Sequence, residues 1–123
     1  MFKLSVTDIF SAAHRLCGYQ GACSELHGHN WTVRVGVRAS ETDEIGLALD
    51  FGVIKAKLRE VLAEFDHTYL NDHPAFAAGN PSSENLARYI FERLTAALDN
   101  NRASVCEVEV CESGSSSVVY TNA

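Results

Sequence analysis

An α+β fold, ordered as two strands, two helices and two strands, is what the sequence predicts, and three observations carry it. Residues 2–14 and 27–38 each alternate apolar and polar side chains at the two-residue period of a half-buried strand. Two later segments, about 52–65 and 83–98, carry one-sided apolar stripes at helical spacing. Residues 104–112 and 117–121 alternate again around Gly114, the pattern of a hairpin. Helices apolar on one side must bury that side, and one face of an antiparallel sheet is the partner available.

The elements follow in order. In the first strand Phe2, Leu4, Val6, Phe10 and Ala12 share one face, while Lys3, Ser5 and Thr7 share the other. Residues 15–26, with Gly18 and Gly21, form a loop. In the second strand Trp31, Val33, Val35 and Val37 face one way, and Asn30, Thr32, Arg34 and Arg38 the other. Asp50 is placed to cap the first helix by accepting from free first-turn amides. Its stripe is Ile54, Leu58, Val61, Leu62 and Phe65. Pro74 and Pro81 bracket a second loop. Ser82 or Ser83 then caps the second helix, with Glu84 in the first turn, where the helix dipole favours an anion. Leu86, Ile90, Leu94, Ala97 and Leu98 form its stripe.

A chain of 123 residues is read as one domain over residues 1–123, large enough for a core without disulfide staples. The net charge of −6 and the lack of basic runs argue against a nucleic-acid surface, which needs clustered Lys and Arg. A phosphorylated small molecule stays possible, since Arg15, Arg34 and Lys55 are available locally. No apolar stretch approaches the roughly 20 residues that span a bilayer, and the opening MFKLSVTDIF alternates, unlike a secretory leader. A cytoplasmic location is therefore expected, with Cys17, Cys106 and Cys111 as ordinary reduced side chains.

The chemistry concentrates at His27-Gly28-His29. Side chains two apart on a strand point the same way, and these two share the parity of Trp31, so both imidazoles face inward. His14, at the end of the first strand, faces inward on the same argument. The pair alone reads either as core histidines satisfied by backbone or as two ligands. With His14 on a neighbouring strand, three imidazoles around Zn²⁺ would leave one position open, the arrangement of a catalytic zinc. Cys23, four residues before His27, is either a fourth ligand or a thiol beside the metal, biased there toward thiolate. Asp66-His67 is either an incidental polar pair or a histidine with its carboxylate partner. Glu112 is either an exposed strand-edge acid or a carboxylate that accepts two N–H donors from a heterocycle edge. Ser82 and Ser83 are read as caps.

Taken together, Phe10-Ser11-Ala12-Ala13-His14, Cys23-x-x-x-His27-Gly28-His29, Leu49-Asp50-Phe51, Asp66-His67-x-Tyr69-Leu70-Asn71, Asn80-Pro81-Ser82-Ser83-Glu84-Asn85-Leu86 and Cys111-Glu112-Ser113 resemble the 6-pyruvoyl-tetrahydropterin synthase / 6-carboxytetrahydropterin synthase family. The resemblance covers about Phe2 to Tyr120. The three-residue gap between Cys23 and His27 resembles the carboxy branch, which serves queuosine and other 7-deazapurine pathways. It implies a tunnelling fold (T-fold): a four-stranded antiparallel sheet, helices on its outer face, trimers closing a barrel, and a homohexamer with sites between subunits. The implied reaction converts 7,8-dihydroneopterin triphosphate to 6-carboxytetrahydropterin, with loss of triphosphate and acetaldehyde. Carried over by position, His14, His27 and His29 match the zinc ligands, Cys23 the catalytic thiol, Asp66 and His67 its proton-relay partners. Glu112 matches the pterin anchor, and Ser82 and Ser83 a substrate-contacting hydroxyl pair. The pyruvoyl reaction, or a non-catalytic zinc-containing pterin binder, are the alternatives.

Overall fold

The computed structural model of the chain describes residues 1–18 and 24–122. Cys23 and Gly21 lie outside the described residues. The chain runs β1 (Phe2–His14), β2 (His27–Ala39), α1 (Phe51–Leu62), β3 (Thr68–Tyr69), α2 (Ser83–Leu98), β4 (Ala103–Ser113) and β5 (Ser116–Thr121), with short 3-10 turns at Leu70–Asp72 and Pro74–Phe76. The sheet order is β3-β1-β2-β4-β5. The four long strands pair antiparallel, and β3 adds a two-residue parallel rung beside β1, Ala12 to Thr68 and Ala13 to Tyr69. The sheet thus has five strands where the pattern predicts four. Two residues are too short for any periodicity to announce them.

Register explains how the functional end is built. β1 and β2 pair without a break from Phe2↔Ala39 to His14↔His27. A pairing this long puts His14 directly opposite His27 and Ala12 opposite His29. Both helices lie on the face carrying Val6, Phe10, Trp31, Val33, Val35, Val108 and Val110, all of them buried. Burying side chains of this size stabilises by roughly 1.5–3 kcal/mol each. Phe10 stacks on Trp31 with ring centroids 5.7 Å apart, closing the core just above the histidines.

The caps form as expected. Asp50 accepts from the Gly52 amide, and Ser82 accepts from the Asn85 amide. Helix α1 ends at Leu62, three residues before its predicted end, yet Phe65 is fully buried from the following turn. Apolar spacing continues through that turn, so periodicity alone overruns the helix. On α2 the stripe differs in membership: Ala97 is exposed, whereas Ala87 and Phe91 are buried. Phe2 is also exposed, at the start of β1, and Cys17 is exposed, while Cys106 and Cys111 are half-buried. No helix is long and apolar enough to cross a membrane.

Candidate metal centre

His14, His27, His29 and Glu112 meet at the end of the sheet, on the helix-covered face. One donor atom from each lies within 4.8 Å of all the others. His14 is buried, and the other three are half-buried. β1 supplies His14 and β2 supplies His27 and His29. Glu112 follows Cys111, which pairs with Thr32, and has the parity of buried Val108 and Val110. The rings pack edge-on against one another and against Trp31, with His14 and His29 centroids 5.0 and 5.1 Å from its ring.

The hydrogen bonds fix which nitrogens carry protons. His14 Nδ1 lies 2.8 Å from the Pro81 carbonyl oxygen, and His27 Nδ1 lies 2.7 Å from that of Glu25. A carbonyl only accepts, so each Nδ1 must donate. In the neutral rings both Nε2 atoms are then bare lone pairs. Those two atoms stand 3.0 Å apart. Bare lone pairs at that distance repel, and either a proton on one ring or a cation between them must relieve it. At His14, burial disfavours the proton. It holds the His14 pKa below the ordinary histidine value, against the pull of the Pro81 carbonyl. It lowers His29 likewise, against Glu112. His29 Nε2, itself buried, lies 2.7 Å from Glu112 Oε1 in a contact poorly directed for a hydrogen bond.

A divalent cation satisfies every one of these atoms. Three neutral imidazoles and a carboxylate suit zinc, and nitrogens held by outer hydrogen bonds to carbonyls are the usual support for such ligands. The residues present therefore fit a metal ion.

Residues 80–83 tie this centre to α2. Asn80 exchanges two hydrogen bonds with the Cys17 backbone, both 2.8 Å, and Pro81 holds His14. Ser82 caps α2, and the buried Ser83 hydroxyl donates to Glu112 Oε2 at 3.3 Å. Asn71 clamps the backbone of Arg15 in the same two-bond manner, both 3.0 Å. Reading residue types along the chain missed Pro81 and Glu25, because they act through carbonyls that every residue has. It also missed the role of the two asparagine clamps, although Asn71 and Asn80 both stand in the motif strings.

Asp66 and His67 stand elsewhere. Their side chains meet, Nδ1 to Oδ1, at 3.1 Å. Asp66 accepts from the Ser11 amide, which with His67 holds its carboxyl below the usual carboxylate range. His67 has φ of +61°, uncommon for a residue other than glycine, and its amide donates to the Ser11 carbonyl at 2.6 Å. Its side chain is 83% exposed. It shares a shallow depression with Ser11, Ala13, Gly28 and Asn30, whose strand parity is that of the helix-free face, and His29 of the cluster borders the same depression. Among the described residues, the polar partners of these two side chains are each other and the Ser11 backbone, and no hydrogen bond or ion pair joins the pair to the cluster. Arg34, a candidate phosphate cation, is on the helix-free face too and pairs with Glu109 at 2.5 Å.

Comparison with known proteins points to one family. Residues 3–123 match the family model described as 6-pyruvoyl tetrahydropterin synthase. A 6-carboxy-5,6,7,8-tetrahydropterin synthase of Bacillus subtilis (strain 168) is 36% identical over 97% of this chain and 84% of its own length. One from Synechocystis sp. is 38% identical over 85% of this chain and 83% of its own. Among solved structures, Caenorhabditis elegans 6-pyruvoyl tetrahydropterin synthase superposes with a TM-score of 0.88 at 29% identity, covering 99% of this chain and 96% of that one. The chain belongs to the 6-pyruvoyl tetrahydropterin synthase family.

Proposed function

We propose that this protein is a zinc-dependent 6-carboxy-5,6,7,8-tetrahydropterin synthase of the cytoplasm, a lyase acting on 7,8-dihydroneopterin 3'-triphosphate in queuosine or related 7-deazapurine synthesis. The observation that carries the reading is the pair of facing Nε2 atoms of buried His14 and half-buried His27, 3.0 Å apart, with the buried His29 Nε2 beside them. Such a centre binds a cation. The relatives named as carboxy synthases, together with the three-residue spacing from Cys23 to His27, favour that branch.

When bound, zinc supplies Lewis-acid polarisation of a substrate oxygen, which makes a proton on the adjoining carbon easier to remove. His14, His27 and His29 would hold it. Cys23 would remove or return that proton, as thiolate. Asp66 would hold His67 in the orientation and tautomer for proton relay, with the 3.1 Å contact as its basis. Glu112 would accept N–H donors of the pterin ring and so orient the side chain toward the metal. Ser83 would act through Glu112, by its bond to Oε2, and Ser82 through the start of α2.

The relay pair lies at the sheet edge, just before β3, rather than within the cluster, so we assign it to the site of a neighbouring copy. The open edges support an assembly: β3 covers β1 only at Ala12 and Ala13, and β5 pairs on one side only. Uncovered edges invite strand pairing. Ile9 and Val119 are exposed on the helix-free face, as the lining of a barrel would be. A hexamer of two stacked trimers is the assembly proposed.

The test is mass spectrometry of the products formed from 7,8-dihydroneopterin triphosphate, with an assay for acetaldehyde. The expected result is 6-carboxytetrahydropterin with acetaldehyde in equal amount. A 6-pyruvoyl product without acetaldehyde would move the protein to the other branch, and binding without turnover would make it a pterin binder.

A further inference from the structure

The carboxylate of Glu112 has different neighbours on its two oxygens. Oε1 lies 2.7 Å from His29 Nε2, 3.9 Å from His14 Nε2 and 4.0 Å from His27 Nε2. Oε2 faces the other way and accepts from Ser83. A tetrahedral zinc with bonds of about 2.0–2.1 Å has ligand-to-ligand edges of about 3.3 Å. The spacings here run from 2.7 Å through 3.0 Å between His14 and His27 to 4.0 Å, with all four donors within 4.8 Å of one another. The four donors surround one point, at distances on either side of that edge. The close approach of Oε1 to His29 Nε2 is poorly directed for a hydrogen bond. A shared cation accounts for a carboxylate and an imidazole nitrogen held this close.

We propose that Glu112 Oε1 is the fourth protein ligand of the metal centre in the resting chain, and that binding of the pterin ring draws this carboxylate off the metal. The inference rests on the function proposed above and assigns Glu112 two successive partners. Four protein ligands close a zinc site, so one must leave for a substrate oxygen to reach the metal. His14 and His27 are pinned through Nδ1 to backbone carbonyls. Glu112 is not pinned in this way. It sits near the end of β4, is half-exposed, and already shares its second oxygen with Ser83. A heterocycle edge with two N–H donors engages both carboxylate oxygens at once. Ring binding and metal opening are then one event, and the two affinities are coupled reciprocally.

The test uses the purified full chain loaded with Co²⁺, read by its visible absorption, with zinc affinity measured against a chelator. The probe is pterin without a side chain at C6, which has no hydroxyl to offer the metal. In the wild type, pterin is expected to change the Co²⁺ spectrum. Glu112→Gln should weaken metal binding at least as much as losing a ligand's supporting partner, about 10–100-fold. Its Co²⁺ spectrum should no longer respond to pterin. Glu112→Asp keeps the charge but is one methylene shorter, and should behave like Gln if circular dichroism shows it folded. Wild-type metal affinity and spectrum in both variants would overturn the proposal, as would a wild-type spectrum indifferent to saturating pterin. In either case the three-histidine centre stands, provided His27→Ala still loses its metal. Full metal retention in His27→Ala would instead overturn the function on which the inference rests.

Discussion

Glu64 shows how a single side chain is held by its neighbours away from the metal centre. Its Oε1 accepts from Tyr89 Oη at 2.7 Å and from His73 Nε2 at 3.0 Å, and Oε2 pairs with Arg93. His73 Nδ1 in turn accepts from the Ala75 amide, so its Nε2 carries the proton and donates. Burial pushes the Glu64 pKa up, but the hydrogen bonds from Tyr89, His73 and Arg93 outweigh it, and the net shift is downward. A carboxylate lowered on folding stabilises fully above its unfolded value, about 4.5. That contribution is lost as pH falls through the lower folded value. Glu64→Gln should therefore cost about 1–2 kcal/mol near pH 7, as for a hydrogen-bonded polar group left mismatched. The gap in melting temperature from wild type should narrow below pH 4.5. A gap that is constant or widens toward acid pH would contradict the assigned role.

The helix caps and the strand pairing were legible at the level of elements because each rests on local rules. Asp50 and Ser82 are short polar acceptors just before apolar stripes, and both cap as expected. Ser82→Ala should lower stability by about 1 kcal/mol in denaturant titration, and no change would mean that the cap is replaced by water at no cost. The histidines were legible for a related reason. Strand parity gives the side of the sheet, and His14 and His27 turned out to be direct partners across it. What parity could not give was distance along the fold. Glu112 reads as an edge acid from its neighbours in sequence, and only the pairing of Thr32 with Cys111 brings it to the histidines. Asp66-His67 is a different case: its motif names the pair but not its position, and the turn after α1 sets it at the sheet edge beside Ser11 rather than within the cluster. Cys23 lies outside the described residues, and its role rests on resemblance and spacing.

At the scale of the whole molecule, a sheet covered by helices on one face only leaves β5 and most of β1 open to neighbours. Light scattering on the purified chain should give a hexamer, and a monomer at micromolar concentration would remove the shared site. Sharing has a sharper consequence. If the relay pair serves a neighbour, His27→Ala and His67→Ala are each inactive alone, but co-assembled they form some sites with both parts intact. Mixed oligomers should regain a measurable fraction of wild-type turnover. Mixtures as inactive as their components would place both groups in one chain's site. Both outcomes depend on the claim beneath them, that the bare imidazole nitrogens at the end of the sheet are a metal centre. Native mass spectrometry of the wild type, His27→Ala and Cys23→Ala tests it most directly. About one zinc per chain is expected in the wild type and in Cys23→Ala, and much weaker retention in His27→Ala, which loses the Nε2 that faces His14 and keeps only His14, His29 and Glu112. Full zinc in His27→Ala, or none in the wild type grown with zinc, would contradict it.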